Sequence, residues 1–222
     1  MLFADDTSII ISNSNVRDFK YNINEVLQEL DNWFCSNLLA LSFDKSHFLQ
    51  FFTKKQNELK IKLTSSNSIL INTNSTKLLG ITLDNMFTWK EHTATLITKL
   101  NKACFAIRAI APFMSPKVLR SVYFSYFHSV MSYGIIFWGS SNISNNVFKI
   151  QKRAIRIIAN KNKRDSCRQL YSQFQILTLP AQYIFSLVMF VIKHNEVFIP
   201  NSEIHDLNTS SKYIYKLEAD DT

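Results

Sequence analysis

Two adjacent carboxylates near the start of the chain, Asp5 and Asp6, are the residues best suited to chemistry. They follow Phe3 and Ala4 and precede a β-prone run of Thr, Ser and Ile, which predicts a strand, a tight turn with both acids, and a second strand. Adjacent carboxylates repel each other unless a cation lies between them, and hard cations such as Mg²⁺ or Mn²⁺ take carboxylate oxygens. The pair predicts half of a two-metal phosphoryl-transfer site, which needs a further carboxylate from another strand. The alternative is a surface turn that happens to hold two Asp residues.

Lys45 is the second candidate, because it lies in a predicted turn between short strands predicted over 38–42 and 48–52. A lysine in this position could reach a triphosphate or protonate a leaving pyrophosphate. The alternative is an ordinary turn lysine beside Asp44, and the residues taken alone favour that alternative.

A basic stretch between positions 149 and 168 is the third candidate, and only Asp165 opposes its charge. Its members are Lys149, Lys152, Arg153 and Arg156, on one face of a helix predicted to begin at Ser144, followed by Lys161, Lys163, Arg164 and Arg168. Such a row of cations would neutralise a phosphate backbone. The net charge of +8 and the pI near 9.4 also favour a polyanionic partner. The alternative is a solvated helix face.

The composition excludes several other kinds of site. With only 3 Gly and 4 Pro, the chain has no Gly-rich phosphate loop of the Walker A or dinucleotide-binding type. Cys35, Cys104 and Cys167 are far apart and form no C-x-x-C pair, which excludes a zinc knuckle and a disulfide framework. They are predicted to be reduced, buried thiols of an intracellular protein.

The first part of the sequence alternates between helical and strand patterns. Apolar residues at helical spacing predict an amphipathic helix over Val16–Ser36 that packs on a sheet. Short strands are predicted over 59–63, 69–71 and 77–83, and Gly80 in the last of these predicts a bulge or a close backbone approach.

The pattern is helical from Thr88 onward. Ser115 followed by Pro predicts a helix start, Gly134 a helix stop, and Ser144 a further helix cap. The segment 169–192 carries no charge and could be a membrane span or a buried core helix, and its proline and glutamines favour the core helix. A membrane is therefore not an expected partner.

These motifs occur in a fixed order, and in that order the chain resembles the C-terminal part of a non-LTR retrotransposon reverse transcriptase of the LINE-type, jockey-like group. Residues 3–7 match the family's aromatic-A-D-D-T catalytic turn. The further matches are Asn37, Leu39, Leu41, Lys45, Ser46 and Phe52 in an N-x-L-x-L-N-x-x-K-T-x-x-x-x-F region, 78–84 in the primer-grip segment, and Tyr133-Gly134, Trp138-Gly139 and 151–156 in the following helical region. Ser42 and Ser46 depart from this pattern, which usually has Asn and Thr there.

The resemblance implies an α+β fold. Residues 1–85 would be the C-terminal part of the palm, with a helix on antiparallel strands. Residues 86–200 would form a helical thumb and post-thumb region, followed by a loose polar tail over 201–222. The expected partners are an RNA template and an RNA–DNA hybrid. An intracellular location is expected. A nuclear location is suspected, although no residue of the chain indicates it.

The resemblance also implies roles for single residues. Asp5 and Asp6 would bind Mg²⁺ or Mn²⁺ at the catalytic site, and Lys45 would be the general acid for pyrophosphate. Leu79 and Gly80 would help to place the primer terminus.

The family's fingers, its first metal-binding Asp and its nucleotide-selecting segment have no counterpart in these 222 residues. We therefore expect a fragment of an RNA-directed DNA polymerase that is inactive alone. The alternatives are a non-catalytic nucleic-acid-binding remnant that uses the basic helix 149–168, and a decayed product without a role.

Overall fold

The computed structural model describes residues 2–3, 6–13, 15–39, 42, 44–52, 63–65, 68–200 and 215–217. The chain forms two compact units, Met1–Thr88 and Trp89–Thr222. The first unit combines a helix with short strands, and the second is mainly helical. The predicted α+β class is therefore confirmed, whereas the assignment of these units to a palm and a thumb stays a prediction.

The first unit is built from one long helix and four short strand pairs. Helix α1 spans Val16–Ser36, as predicted, and the side chain of Asn15 caps it by accepting a hydrogen bond of 3.0 Å from the Arg17 N–H. The strands are β1 Leu2–Phe3, β2 Asp6–Thr7, β3 His47–Phe48, β4 Thr64–Ser65, β5 Ser68–Ile69, β6 Ile71–Asn72, β7 Ser75–Leu78 and β8 Ile81–Asp84. The pairs β1–β2, β4–β5 and β7–β8 are antiparallel, whereas β3–β6 is parallel, which corrects the prediction of antiparallel strands alone.

A small core joins α1 to the segments that flank the β4–β5 hairpin. Ile23 of α1 is buried together with Leu63 and Leu70. The Leu70 N–H donates to the Leu63 carbonyl at 2.9 Å, which holds these two leucines at the base of the hairpin. The expected packing of the helix on strand segments is therefore present in this unit.

The short strands depart from their predicted bounds. No strand includes Leu38 or Leu39, because α1 ends in a turn where Leu38 adopts a φ of 55°. The strand predicted over 48–52 is limited to β3, and of the strand predicted over 59–63 only Leu63 lies within the described residues. Strands of two residues carry too little alternation for their bounds to be read from sequence.

The segment 77–83 is a hairpin, not the single strand that the sequence predicts. Strands β7 and β8 pair antiparallel with Leu78 opposite Ile81, and Leu79 and Gly80 form the two-residue turn between them. Both turn residues have positive φ, 46° at Leu79 and 81° at Gly80, as a type I′ turn requires. Gly80 therefore belongs to a β-turn and does not form the predicted bulge.

The second unit is a helical bundle around an aromatic and aliphatic core. Its elements are α2 Lys90–Ile110, a 3₁₀ turn Ala111–Phe113, α3 Pro116–Val122, a π-helical stretch Tyr123–His128, α4 Ser129–Ser132, α5 Ile135–Trp138, α6 Ser144–Ile158, α7 Arg168–Gln173, α8 Leu179–Lys193 and a 3₁₀ turn Asn195–Val197. Completely buried side chains come from α2, the π-helical stretch, α5 and α6, among them Leu100, Ile107, Tyr123, Phe127, Trp138 and Ile155. Each large apolar side chain of this kind contributes roughly 1.5–3 kcal/mol by leaving water.

Two of the three predicted caps in this unit are present. Ser115 caps α3 through a 3.5 Å bond from the Val118 N–H, and Gly134 follows α4 with a left-handed φ of 59°. Ser144 is the first helical residue of α6 and makes no side-chain cap, because the preceding Ile143 occupies the cap position.

Other expectations need correction. Segment 169–192 contains α7 and α8, and of α8 only Leu179 and Gln182 are buried, so it is not a buried core helix. None of the helices that the structure describes is both long enough and apolar enough to cross a membrane. Cys35 is exposed, whereas Cys104 and Cys167 are buried as predicted.

One strand lies within the segment 201–222, for which the sequence predicts a loose tail. Strand β10, Tyr215–Leu217, pairs antiparallel with β9, Phe198–Pro200. Tyr215 is a strand-prone residue type, but the polar character of the whole segment made a strand there hard to predict.

Candidate nucleic-acid interface

The two strands predicted around the acidic pair are present, but Asp6, predicted to lie in the turn, is a strand residue. Strands β1 and β2 pair antiparallel, with Leu2 opposite Thr7 and Phe3 opposite Asp6. Asp6 is thus the first residue of the return strand, while Asp5 lies outside the described residues. Within the residues described, no group of three His, Cys, Asp or Glu side chains is placed to share a metal ion. The metal site remains a prediction.

Lys45 lies in the predicted turn, with its side chain exposed to solvent. The turn is closed by the Lys45 N–H, which donates to the Ser42 carbonyl at 3.1 Å, and by the Ser46 hydroxyl, which donates to the same oxygen at 2.8 Å. Two residues later, a ring nitrogen of His47 lies 2.6 Å from the Thr76 hydroxyl of β7. Lys45 therefore lies near the β7–β8 hairpin, whose tip carries Leu79 and Gly80.

The basic residues of α6 lie opposite its buried face, as predicted. Val147, Ile150, Gln151, Ala154, Ile155 and Ile158 are buried. Lys149 is exposed, and Lys152 lies 4.1 Å from the centre of the Phe148 ring. Arg153 donates to the Asn101 side chain, and the Arg156 Nε donates to the Asp165 carbonyl at 2.8 Å. Lys149 is thus the member of this face most accessible to a ligand.

The loop after α6 presents the remaining basic residues to solvent. Lys161, Lys163, Arg164 and Arg168 are all exposed. Asp165 is the acid within this stretch, and its carboxylate accepts a 2.9 Å hydrogen bond from the Asn162 N–H. Because one carboxylate stands against four cations, the loop keeps a net positive charge and a positive potential.

The charge of the chain is concentrated in its helical part. Residues 89–200 contain fifteen Lys and Arg against three Asp and Glu, hence a net charge of +12. The remaining residues carry ten Lys and Arg against fourteen Asp and Glu, hence −4. The overall +8 therefore understates how basic the helical part is, and this asymmetry is typical of a surface for a polyanion.

Gln151, within the predicted basic motif, has a structural role that the sequence analysis missed. Its amide donates to the Tyr123 hydroxyl at 3.0 Å and to the Leu177 carbonyl at 2.9 Å. Its carbonyl accepts from the Leu179 N–H at 2.9 Å and from the Tyr171 hydroxyl at 3.3 Å. The completely buried side chain thereby ties α6 to three other segments. The sequence feature that could have revealed this role is the position of Gln151 on the apolar face of α6.

The two tyrosines of this network remain neutral. Burial raises the pKa of Tyr123, and a hydrogen bond from Gln151 only partly opposes that rise. Burial also raises the pKa of Tyr171. Both hydroxyls therefore keep their protons at physiological pH, and they act as hydrogen-bonding groups of the core.

In the Tyr133-Gly134 and Trp138-Gly139 pairs, Trp138 and Gly139 have packing roles, whereas Gly134 supplies a left-handed backbone residue after α4. The completely buried Trp138 ring donates from Nε1 to the Tyr133 carbonyl at 3.2 Å. An added Cβ at Gly139 would clash with Cδ2 of Tyr183 in α8. These motif residues therefore stabilise the bundle that presents the cations.

A second basic surface, on α2, was not predicted. Asn101, Lys102, Phe105 and Arg108 are exposed on this helix, and Phe105 retains 74% of its accessible surface. Burial raises the pKa of the Cys104 thiol, and the nearby guanidinium groups of Arg153 and Arg108 oppose that rise. Both cations therefore lie close to Cys104, between α2 and α6.

The chain matches no family model, no curated protein and no solved structure. The candidate nucleic-acid interface is therefore defined only from the residues of this chain. It consists of the exposed cations of α2, of α6 and of the loop that follows α6.

Proposed function

We propose that this chain is part of an RNA-directed DNA polymerase of the non-LTR reverse-transcriptase type, and that its helical unit binds the template–primer duplex. The observation that carries the binding proposal is the net charge of +12 over residues 89–200, with its cations exposed on α2, α6 and the following loop. Hybrid duplexes are recognised mainly through backbone phosphates, shape and 2′-hydroxyls, which suits a basic helical surface. In this proposal residues 1–85 belong to a palm and residues 86–200 to a thumb and the region after it.

The catalytic part of the proposal rests on the β1–β2 hairpin and the sequence resemblance. Asp5 and Asp6 would hold the divalent cation, and a donor set of carboxylate oxygens fits Mg²⁺ or Mn²⁺. The cation would stabilise charge on the phosphoryl oxygens during nucleotidyl transfer. Lys45, exposed in its turn, would supply the proton for the leaving pyrophosphate, and the tip of the β7–β8 hairpin would contact the primer.

The second candidate is a non-catalytic module that binds nucleic acid through the same cations. The charge asymmetry favours it independently of the hairpin, because that asymmetry does not depend on Asp5 or Asp6. The two candidates make the same prediction for binding and differ only in whether Asp5 and Asp6 hold a divalent cation.

Neutralising the loop after α6 should weaken binding to an RNA–DNA hybrid. The variant replaces Lys161, Lys163 and Arg164 with Gln. Since each lost phosphate contact removes about 0.9 from the salt slope, three should reduce it by about 2–3 and weaken binding roughly 10- to 100-fold at moderate salt. Fluorescence anisotropy with a labelled hybrid measures both quantities.

The matched control removes three exposed cations that lie outside the proposed contacts, Arg17, Lys20 and Lys193, again with Gln. It lowers the net charge by the same amount and should change affinity less than about threefold, because these cations do not belong to the basic surface of α2, α6 and the following loop. Equal losses in the two triple variants would indicate a general charge effect and contradict a defined interface.

A further inference from the structure

The surface between α2 and α6 contains a cleft of about 180 Å³ lined by Asn101, Cys104, Phe105, Arg108 and Arg153. The two helices run antiparallel here, since the Cys104 thiol reaches the Ile150 carbonyl at 3.8 Å while Asn101 bonds Arg153. None of the five lining residues is acidic. The cleft is smaller than the roughly 300–1,000 Å³ of a typical ligand pocket, so it suits a group of about the size of a phosphate.

The cations of the cleft are not neutralised within it. Arg153 is half-buried and bonds the Asn101 amide oxygen, and no described residue accepts a hydrogen bond from its buried Nε. Arg108 is exposed on the α2 side. Guanidinium groups present several donors in a planar fork that fits phosphate oxygens, and they bind anions strongly where water is partly excluded.

Phe105 adds an exposed aromatic ring to the same surface. It lies three residues before Arg108 on α2, so the two side chains are neighbours on the helix. An exposed phenyl ring between cations offers little to a duplex, whose bases are stacked on each other. It offers a stacking surface to an unpaired base, and such stacking contributes about 1–3 kcal/mol per base.

We propose that the α2–α6 cleft is a subsite for one unpaired nucleotide of a single-stranded nucleic acid, with its phosphate between Arg108 and Arg153 and its base stacked on Phe105. This proposal rests on the function proposed above and deepens it, because it assigns a single-strand contact to a unit otherwise expected to hold duplex. A strand entering or leaving the duplex would supply the unpaired nucleotide.

The test compares Phe105→Ala and Phe105→Trp with the wild-type chain. The ligands are an oligothymidylate of about 15 nucleotides and a blunt hybrid duplex of the same length. Phe105→Ala should weaken binding of the single strand about 5- to 100-fold and binding of the duplex less than twofold. Phe105→Trp should retain single-strand binding, because the larger ring still stacks.

Phe113→Ala is the matched control, since Phe113 is also highly exposed in the second unit, at 83%, and lies outside the cleft. It should bind both ligands as the wild type does. Single-strand binding that is unchanged in Phe105→Ala, or equally weakened in Phe113→Ala, overturns the subsite.

The two proposals fail in different ways in this experiment. If the wild type binds the single strand through Phe105 but not the hybrid, the subsite stands and duplex binding fails. If it binds the hybrid and Phe105→Ala changes nothing, the subsite alone fails. If it binds neither ligand, both are overturned.

Discussion

Replacing Gln151 with leucine is expected to lower the free energy of unfolding of the helical unit by about 3 kcal/mol or more. The buried Gln151 side chain makes four hydrogen bonds, and two of them satisfy the backbone groups of Leu177 and Leu179. Leucine would leave these groups unpaired in the interior, and each unsatisfied buried group costs about 1–3 kcal/mol. Urea denaturation followed by circular dichroism measures the loss.

Gln169→Leu is the control for that substitution, because Gln169 is exposed on α7. Its effect should stay within about 0.5 kcal/mol, as is usual for surface positions. A Gln151→Leu chain as stable as the Gln169→Leu chain would mean that Gln151 does not hold α6 to the 177–179 connection.

Gly139→Ala should destabilise the same unit by about 1–3 kcal/mol, the usual cost of an overpacked core. The φ of Gly139 is an ordinary −62°, so backbone strain is not the cause. The cause is steric, because the new Cβ would clash with Cδ2 of Tyr183 and would lie 2.6 Å from the Ile135 carbonyl oxygen. The helix pair α5–α8 would have to separate to accommodate a methyl group.

Thermal unfolding of Gly139→Ala beside Ser140→Ala checks this prediction, since Ser140 is the exposed neighbour. Adding Tyr183→Ala to Gly139→Ala should give less than the sum of the two single losses, because the clash disappears with the ring. Strictly additive losses would show that Gly139 and Tyr183 do not constrain each other.

The long helices could be predicted from the sequence because their apolar periodicity extends over many turns. Helix α1 has the predicted bounds, and α3 begins at the predicted Ser115 cap. The short strands could not be predicted, since two residues show no period. The turn at Leu79 was missed because leucine rarely adopts positive φ.

The candidate site also has one part that the sequence predicts and another that only the structure reveals. The exposed cations of α6 and its loop follow directly from residue type and spacing. The α2 surface could not be predicted from the sequence. Phe105 and Arg108 form a cleft with Arg153 only because α2 and α6 pack antiparallel. Gly139 and Gln151 were interpreted through the resemblance, whereas the structure gives them packing roles.

The most direct test of nucleic-acid binding by the helical unit is the salt dependence of hybrid binding by the intact chain. The five exposed cations of α6 and the following loop, Lys149, Lys161, Lys163, Arg164 and Arg168, predict a slope of about −4.5 in a plot of log K against log salt, and contacts from α2 would steepen it. The same slope should persist in Asp5→Ala/Asp6→Ala, since the acids are not part of the basic surface. A slope shallower than about −1, or no binding at low salt, would contradict the account.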